Sequence, residues 1–466
     1  MYHPITLPNI QKNVTQTEVF SYQILVRLAR WGIAIAFLIA IGFAFSCRNA
    51  FSQNLPNRQT ETEIPAAPVS ETALSTLSRV RASVVQIKGF FGNNVAQAFH
   101  GTGFAVAPNG VLLSNYHVVA EHVLYPDKYR LEYRTPDGAT GKITVLAIDV
   151  EHDLSLLRAE KLDLPALSLR ADIPSKGERA YSVGFPLDVG LTITEGVLNG
   201  KVEDSFDPRI HYSGAINGGM SGGPALDAAG RVIGVNVSGY RFEQLVSFLV
   251  PAEHGQKLLE RGKGKPLDLK HARQEVARQL RHHSDQLLNS LNHDFVTQRT
   301  AGYDLPGKLD RFVDCNASGD TISDLPTQTE RIACSAKAGL YVQQNMYSGD
   351  LDFSHVVMTT TKLDAWRFAR RLKFSSFPGG GFNSPKNVAP FACKNHVVRL
   401  NELDADLLIC TRAYRLFDGL YDISARVLSL NHSTRGFSSN LQLNGVDFAA
   451  GMKFVNRYVK AIKWTP

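Results

Sequence analysis

From residue 83 onward, apolar and β-branched residues come in short runs rather than at helical spacing. The runs cover 84–90, 96–106, 111–114, 142–148, 154–158, 180–184, 191–202, 232–237 and 245–250. Turn residues separate them, as in Pro108-Asn109-Gly110 and Asp227-Ala228-Ala229-Gly230. An Asn-Gly pair tolerates the left-handed backbone of a tight turn, so between apolar runs it predicts a hairpin. Many short strands with turns this frequent predict a sandwich or barrel. The stretch is long enough for two small barrels packed together.

The period changes after residue 250. Residues 251–261 predict a short helix, and Gly262-Lys263-Gly264-Lys265-Pro266 breaks it. Residues 267–292 place Val276, Leu280, Leu287, Leu288 and Leu291 on one side of an amphipathic helix, which suits a connector or an oligomer contact. Beyond residue 312 the pattern is mixed. Strand-like runs lie at 340–344, 353–360, 397–400, 407–414 and 423–430, and helical runs at 363–372 and 446–462. The expectation is a small α+β domain over 301–466, joined by a helical connector at 263–300.

The N-terminal segment is different again. Residues 31–47 are uncharged and, Ser46 apart, apolar; Lys12, Arg27 and Arg30 precede them against one acid, Glu18. A positive flank before an apolar run is held on the cytoplasmic side while the rest is exported. The length suits either a signal peptide or a membrane anchor, and residues 1–47 are read as one or the other. Residues 48–71, polar and proline-containing, read as a linker.

Composition narrows the class. With 44% hydrophobic and 20% charged residues, wholesale disorder is excluded. One apolar run excludes a multi-spanning membrane protein. The net charge of +7 divides into +2 for residues 1–70, −3 for 71–262 and +8 for 263–466. A solvated basic face is the plain reading of the last part, and an anionic surface the sharper one. Of five cysteines, Cys47 ends the leader; Cys315, Cys334, Cys393 and Cys410 all lie in the C-terminal part. Export makes two disulfides plausible there. Proximity favours 315–334 and 393–410 among three pairings.

Three polar residues stand at special places in the strand pattern. His117 follows a strand in Ser114-Asn115-Tyr116-His117-Val118. Asp153 opens one in His152-Asp153-Leu154-Ser155. Ser221 lies in Gly218-Gly219-Met220-Ser221-Gly222-Gly223-Pro224. A serine hydroxyl is barely ionised at neutral pH; an imidazole can remove its proton, and a carboxylate can orient that imidazole. The order His, Asp, Ser is that of chymotrypsin-type barrels. The glycines let backbone N–H groups converge on a negative oxygen. Gly219 and Ser221 are the expected oxyanion donors.

On these residues, together with Gly101-Thr102-Gly103-Phe104 and Arg231-Val232-Ile233-Gly234-Val235-Asn236, residues 72–262 resemble a trypsin-like serine peptidase of the Deg/HtrA type. The resemblance implies a mainly β, double six-stranded β-barrel of the chymotrypsin fold. It implies His117 as general base, Asp153 as its orienting carboxylate and Ser221 as nucleophile. The family places the specificity pocket at Ala215, with Val237, Ser238 and Gly239 as its wall, and a small or medium apolar side chain is expected there. Met220 stands where the family commonly has Asp or Asn. It cannot pair with a newly cut N-terminus, and the loop is expected to lack one of the family's hydrogen bonds. No PDZ motif is recognised; Gly379-Gly380-Gly381-Phe382 reads as a loop.

His282-His283, near His271, sit in a charged helix and read as solvated surface, so no metal or other cofactor is expected. The sum is an exported serine endopeptidase of a bacterial periplasm, or of the inner membrane facing it. Its expected partners are protein or peptide substrates, a membrane through residues 31–47, and further copies of itself; no nucleic acid is expected. The alternative is a catalytically silent binding or scaffold protein on the same fold.

Overall fold

The computed structural model describes residues 70–172, 174–239, 245–263, 266–320, 322–336, 338–374, 383–430 and 433–464. The apolar run at 31–47 and the glycine-rich 379–382 lie outside them. Among the described residues no helix is long and apolar enough to cross a membrane.

A helix that the strand pattern did not predict, α1 (Glu71–Val80), comes first. Ser70 caps it by accepting from the Ala73 N–H at 3.2 Å, and it buries Thr76 and Val80. The first barrel follows: β1 (Val84–Phe91), β2 (Gln97–Ala107), β3 (Val111–Ser114), β4 (Tyr129–Arg134), β5 (Thr140–Asp149) and β6 (Leu154–Ala159), with α2 (Ala120–Leu124) between β3 and β4. It closes in the order β1-β2-β3-β6-β5-β4. The β2–β3 turn is made as expected, with Asn109 and Gly110 both at positive φ. The second barrel holds β7 (Arg179–Gly184), β8 (Thr192–Lys201), β9 (Ile210–Tyr212), β10 (Pro224–Leu226), β11 (Val232–Gly239) and β12 (Ser247–Pro251). It closes in the order β10-β11-β12-β9-β8-β7.

Two helices leave the barrels, α3 (Ala252–Arg261) and α4 (Ala272–Ser290). The amphipathic face of α4 is used inside the molecule. Val276, Ala277 and Leu280 pack in the first-barrel core. Leu287, Leu288 and Leu291 pack in the C-terminal core. His283, expected on the surface, is instead 1% exposed, with Nε2 3.2 Å from Asp207 Oδ2.

The C-terminal part adds β13 (Thr297–Thr300), β14 (Tyr303–Pro306), β15 (Val313–Gly319), β16 (Gln328–Ala336), β17 (Leu340–Gln343), β18 (Met346–Ser348), β19 (Leu351–Thr359), α5 (Ala365–Phe374), β20 (Ala392–Leu400), β21 (Leu403–Ala413), β22 (Leu420–Ser429), β23 (Arg435–Asp447), α6 (Phe448–Ala461) and β24 (Lys463–Trp464). Seven strands make one antiparallel sheet, β15-β16-β19-β23-β22-β21-β20. Disulfides join Cys315 to Cys334 and Cys393 to Cys410. Each links directly opposed residues of an edge hairpin.

Candidate active site

The first barrel brings His117 and Asp153 together through strand pairing. β3 and β6 are neighbours, with Ser114 opposite Ser155. The chain just beyond β3 therefore lies beside the chain just before β6. Asp153 O accepts from the Tyr116 N–H at 3.1 Å and from Asn115 Nδ2 at 2.8 Å, and Ser155 Oγ donates back to Asn115 O at 2.8 Å. Asp153 holds a left-handed backbone, φ 56°. That conformation is uncommon for a residue with a Cβ, though least so for Asp and Asn. It turns the carboxylate onto His117: Oδ1 accepts from the His117 N–H at 2.9 Å, and Oδ2 lies 2.7 Å from Nδ1. With the proton on Nδ1, Nε2 is an acceptor.

Ser221 comes from the second barrel, on the loop between β9 and β10. Two glycines let that loop lie against β2. Gly222, φ +84°, has Ser114 Oγ and Thr102 O only 2.2 Å from where a Cβ would stand. Gly219, φ +98°, has Phe185 O at 2.3 Å and His100 Nε2 at 2.6 Å from the same point. No other residue fits either place without displacing backbone. The Thr102 N–H donates to Ser221 O at 2.8 Å. Among the described residues, neither the Gly219 nor the Ser221 N–H donates to a protein acceptor. Both are available to a developing oxyanion.

Side-chain hydrogen bonds anchor the loop around Met220. Met220 is buried. Thr102 Oγ1 donates to Gly219 O at 2.7 Å and accepts from the Phe185 N–H at 3.1 Å. Asn236 Nδ2 donates to Met220 O at 3.3 Å and to Val183 O at 3.2 Å, and its Oδ1 accepts from Ser182 Oγ at 2.8 Å. Thr102 and Asn236 carry the motifs in the sequence, but their side-chain roles show only in these contacts.

The Ser221 hydroxyl donates to Val237 O at 3.1 Å. Val237 thus lies beside Ser221. Ala215 is exposed, its carbonyl accepting from Thr194 Oγ1 at 2.9 Å. Ser238 and Gly239 continue β11 opposite Phe248 and Ser247. Among the described residues, no group of three or more His, Cys, Asp and Glu could hold a metal.

The C-terminal part reaches this site. The Tyr341 ring of β17 lies edge-on to the His117 ring, with centroids 5.8 Å apart. Tyr116 donates its phenol to Val342 O at 3.0 Å across a separation of 226 residues. No local pattern in the sequence signals that contact.

The description of a trypsin-like peptidase domain matches residues 101–235. The chain is 32% identical over 173 residues to a probable periplasmic serine endoprotease, DegP-like, of Chlamydia pneumoniae, covering 35% of this chain and 34% of that one. It is 34% identical over 177 residues to the mitochondrial serine protease HTRA2 of Bos taurus, covering 36% and 37%. The chain thus spans about a third of the length of these curated relatives. A solved serine endoprotease from Yersinia pestis matches 42% of this chain and 67% of its own, at 21% identity and a TM-score of 0.37. Two closed six-stranded barrels and this likeness in sequence mean that the chain carries a trypsin-like peptidase domain, similar to that of the DegP and HtrA serine proteases.

Proposed function

We propose that the protein is an exported serine endopeptidase that cleaves polypeptides through an acyl-enzyme. The observation that carries this reading is the His117–Asp153 pair at 2.7 Å, together with a serine loop that packs on Thr102, Ser114 and Asn115 and whose Gly219 and Ser221 N–H groups donate to no described protein acceptor. Ser221 Oγ attacks the scissile carbonyl and gives its proton to His117 Nε2. Asp153 holds the imidazole and offsets the charge it gains. The Gly219 and Ser221 N–H groups receive the carbonyl oxygen as it becomes negative. The imidazolium then protonates the leaving amine, and water, deprotonated by the same base, releases the acyl group. Before attack, the Ser221 hydroxyl must leave Val237 O and donate to Nε2.

Ala215 offers no charge, which supports a small or medium apolar side chain at the cleaved position, with Val237, Ser238 and Gly239 as wall. A peptide library cut chiefly after Lys or Arg would overturn that preference. Two disulfides and a periplasmic relative support an oxidising compartment outside the cytoplasm.

One observation favours a second reading, a silent scaffold. The resting hydroxyl is bonded to Val237 O rather than to the base. A fluorophosphonate probe and a denatured protein substrate separate the two. Wild-type labelling and cleavage, with Ser221→Ala reduced at least about 1000-fold, support the peptidase. A folded wild type that neither labels nor cleaves supports the scaffold.

A further inference from the structure

The β17–β18 hairpin belongs to the C-terminal part, yet its apolar side lies in the first-barrel core. Leu340, Val342 and Met346 are buried in the same cluster as Tyr116 and Val119. Two hydrogen bonds fix the hairpin to the segment that carries His117. One is the Tyr116 phenol to Val342 O. The other is the Gln344 N–H to Glu121 Oε1, at 3.2 Å. Tyr341, between the buried Leu340 and Val342, is partly buried against the same core, and its ring meets His117 at 73° between planes. The Tyr347 ring backs it edge-on at 5.9 Å. Burial, and then the charge of Glu121, push the Tyr341 hydroxyl up, so it is neutral near neutral pH. The ring remains only half-buried.

We infer that Tyr341 is a specificity-determining residue. Its ring forms one wall of the cleft beside His117 and selects an apolar side chain of the polypeptide next to the cleaved bond. This rests on the reading of His117 and Ser221 as base and nucleophile. A carbonyl attacked by Ser221 lies within reach of His117, so a residue flanking that bond must pass the His117 ring. The ring offered beside His117 is aromatic and uncharged, and it favours apolar partners. A substrate carboxylate there would meet Glu121 and Asp153, two like charges. The C-terminal part then completes the active site instead of only following it in the chain.

The test uses the full-length chain with Tyr341→Ala and Tyr341→Phe, unfolding midpoints being measured to confirm the fold. Quenched peptides carry Leu, Ala, Gly or Asp at each position flanking the cleaved bond. Tyr341→Ala is expected to lose about three- to tenfold in the Leu-over-Gly preference at one flanking position, and Tyr341→Phe to keep that preference. An unchanged preference, or an equal loss on every peptide, overturns the inference. A second measurement does not depend on turnover. Labelled forms of the same peptides are titrated by anisotropy into Ser221→Ala, with and without Tyr341→Ala. Leu peptides are expected to weaken by a similar factor, and equal affinities overturn the wall. If the wild type fails to react with a fluorophosphonate while this binding difference persists, the peptidase reading falls and the wall stands.

Discussion

The barrels and the C-terminal sheet solve the same problem in different ways. An edge strand exposes unpaired N–H and C=O groups that invite pairing with another chain. β1 to β12 close into two barrels and have no edge. The seven-stranded sheet stays open, with β15 and β20 at its edges. Each edge strand is stapled to its inner neighbour, Cys315 to Cys334 and Cys393 to Cys410. The barrels contain no cysteine. Closure puts the loops that carry His117, Asp153 and Ser221 at the seam of two rigid bodies. The open sheet keeps its order with covalent cross-links, and the C-terminal part adds Leu340, Val342, Met346, Val388, Tyr414, Phe417 and Leu420 to the first-barrel core.

The largest expected effect comes from removing the staples. Each encloses a short loop of 17 to 19 residues in sequence separation, which by chain entropy stabilises by about 3 kcal/mol. Cys315→Ser with Cys334→Ser should lower the denaturant midpoint of the C-terminal part by that order. Dithiothreitol should do the same to the wild type. A cysteine-free barrel should not respond, so Ser221 should still label at denaturant concentrations where the reduced sheet has begun to unfold. A midpoint indifferent to reduction would mean that the staples do not stabilise the open sheet.

The next effect lies on the barrel side. Thr102 Oγ1 donates to the Gly219 carbonyl and so fixes the Gly219–Met220 peptide, between the two N–H groups of the serine loop. Thr102→Val keeps the shape and deletes the hydroxyl. It should lower kcat by about 10- to 100-fold, less than the loss of an oxyanion donor itself, with KM nearly unchanged. Thr102→Ser should restore most of the rate. A rise in KM with kcat intact would show that Thr102 serves binding and not the oxyanion loop. The same variant strands the Phe185 N–H, so a midpoint lower by about 1–2 kcal/mol is expected beside the kinetic loss.

The two parts also differ in how far the sequence discloses them. The barrel strands that are nearly continuous apolar runs, such as β3 and β6, are visible in the pattern. β4 is not: in Tyr129–Arg134 only Leu131 and Tyr133 face the core, and charged residues stand between them. β9 and β10 are three residues each, too short for a period to show. The larger omission is β23. Its Phe437, Leu441 and Leu443 are buried, but Ser438, Ser439, Asn440, Gln442 and Asn444 mask the run. It is nevertheless an inner strand, paired with β19 and β22. The candidate residues His117, Asp153 and Ser221 were legible because each lies in a short motif at the end of a strand or in a glycine-rich loop. Tyr341 was not, because its place beside His117 is set by tertiary packing alone.

The smallest expected effect distinguishes the parts by the sign of their response to protons. In the C-terminal part, burial, and then the charge of Asp352, push Asp350 up from 3.8 to about 6. The folded chain keeps a proton there that the unfolded chain releases near 3.8. Stability therefore falls as pH rises from about 4 to 6, and the whole cost persists above that window. In the barrel part, burial, and then the His152 ring stacked at 3.8 Å, lower His254 from 6.5 to about 3, with Lys257 acting in the same sense and Asp149 against it. The unfolded chain takes a proton near 6.5 that the folded chain refuses, so stability falls as pH drops from about 6.5 toward 3. Asp350→Asn should then gain about 1 kcal/mol near pH 8 and nothing near pH 4. His254→Gln should do relatively better near pH 4.5 than near pH 8. Urea midpoints across that range check both. Parallel profiles for the two variants would mean that the protons act on the whole unit and not on each part through its own buried group.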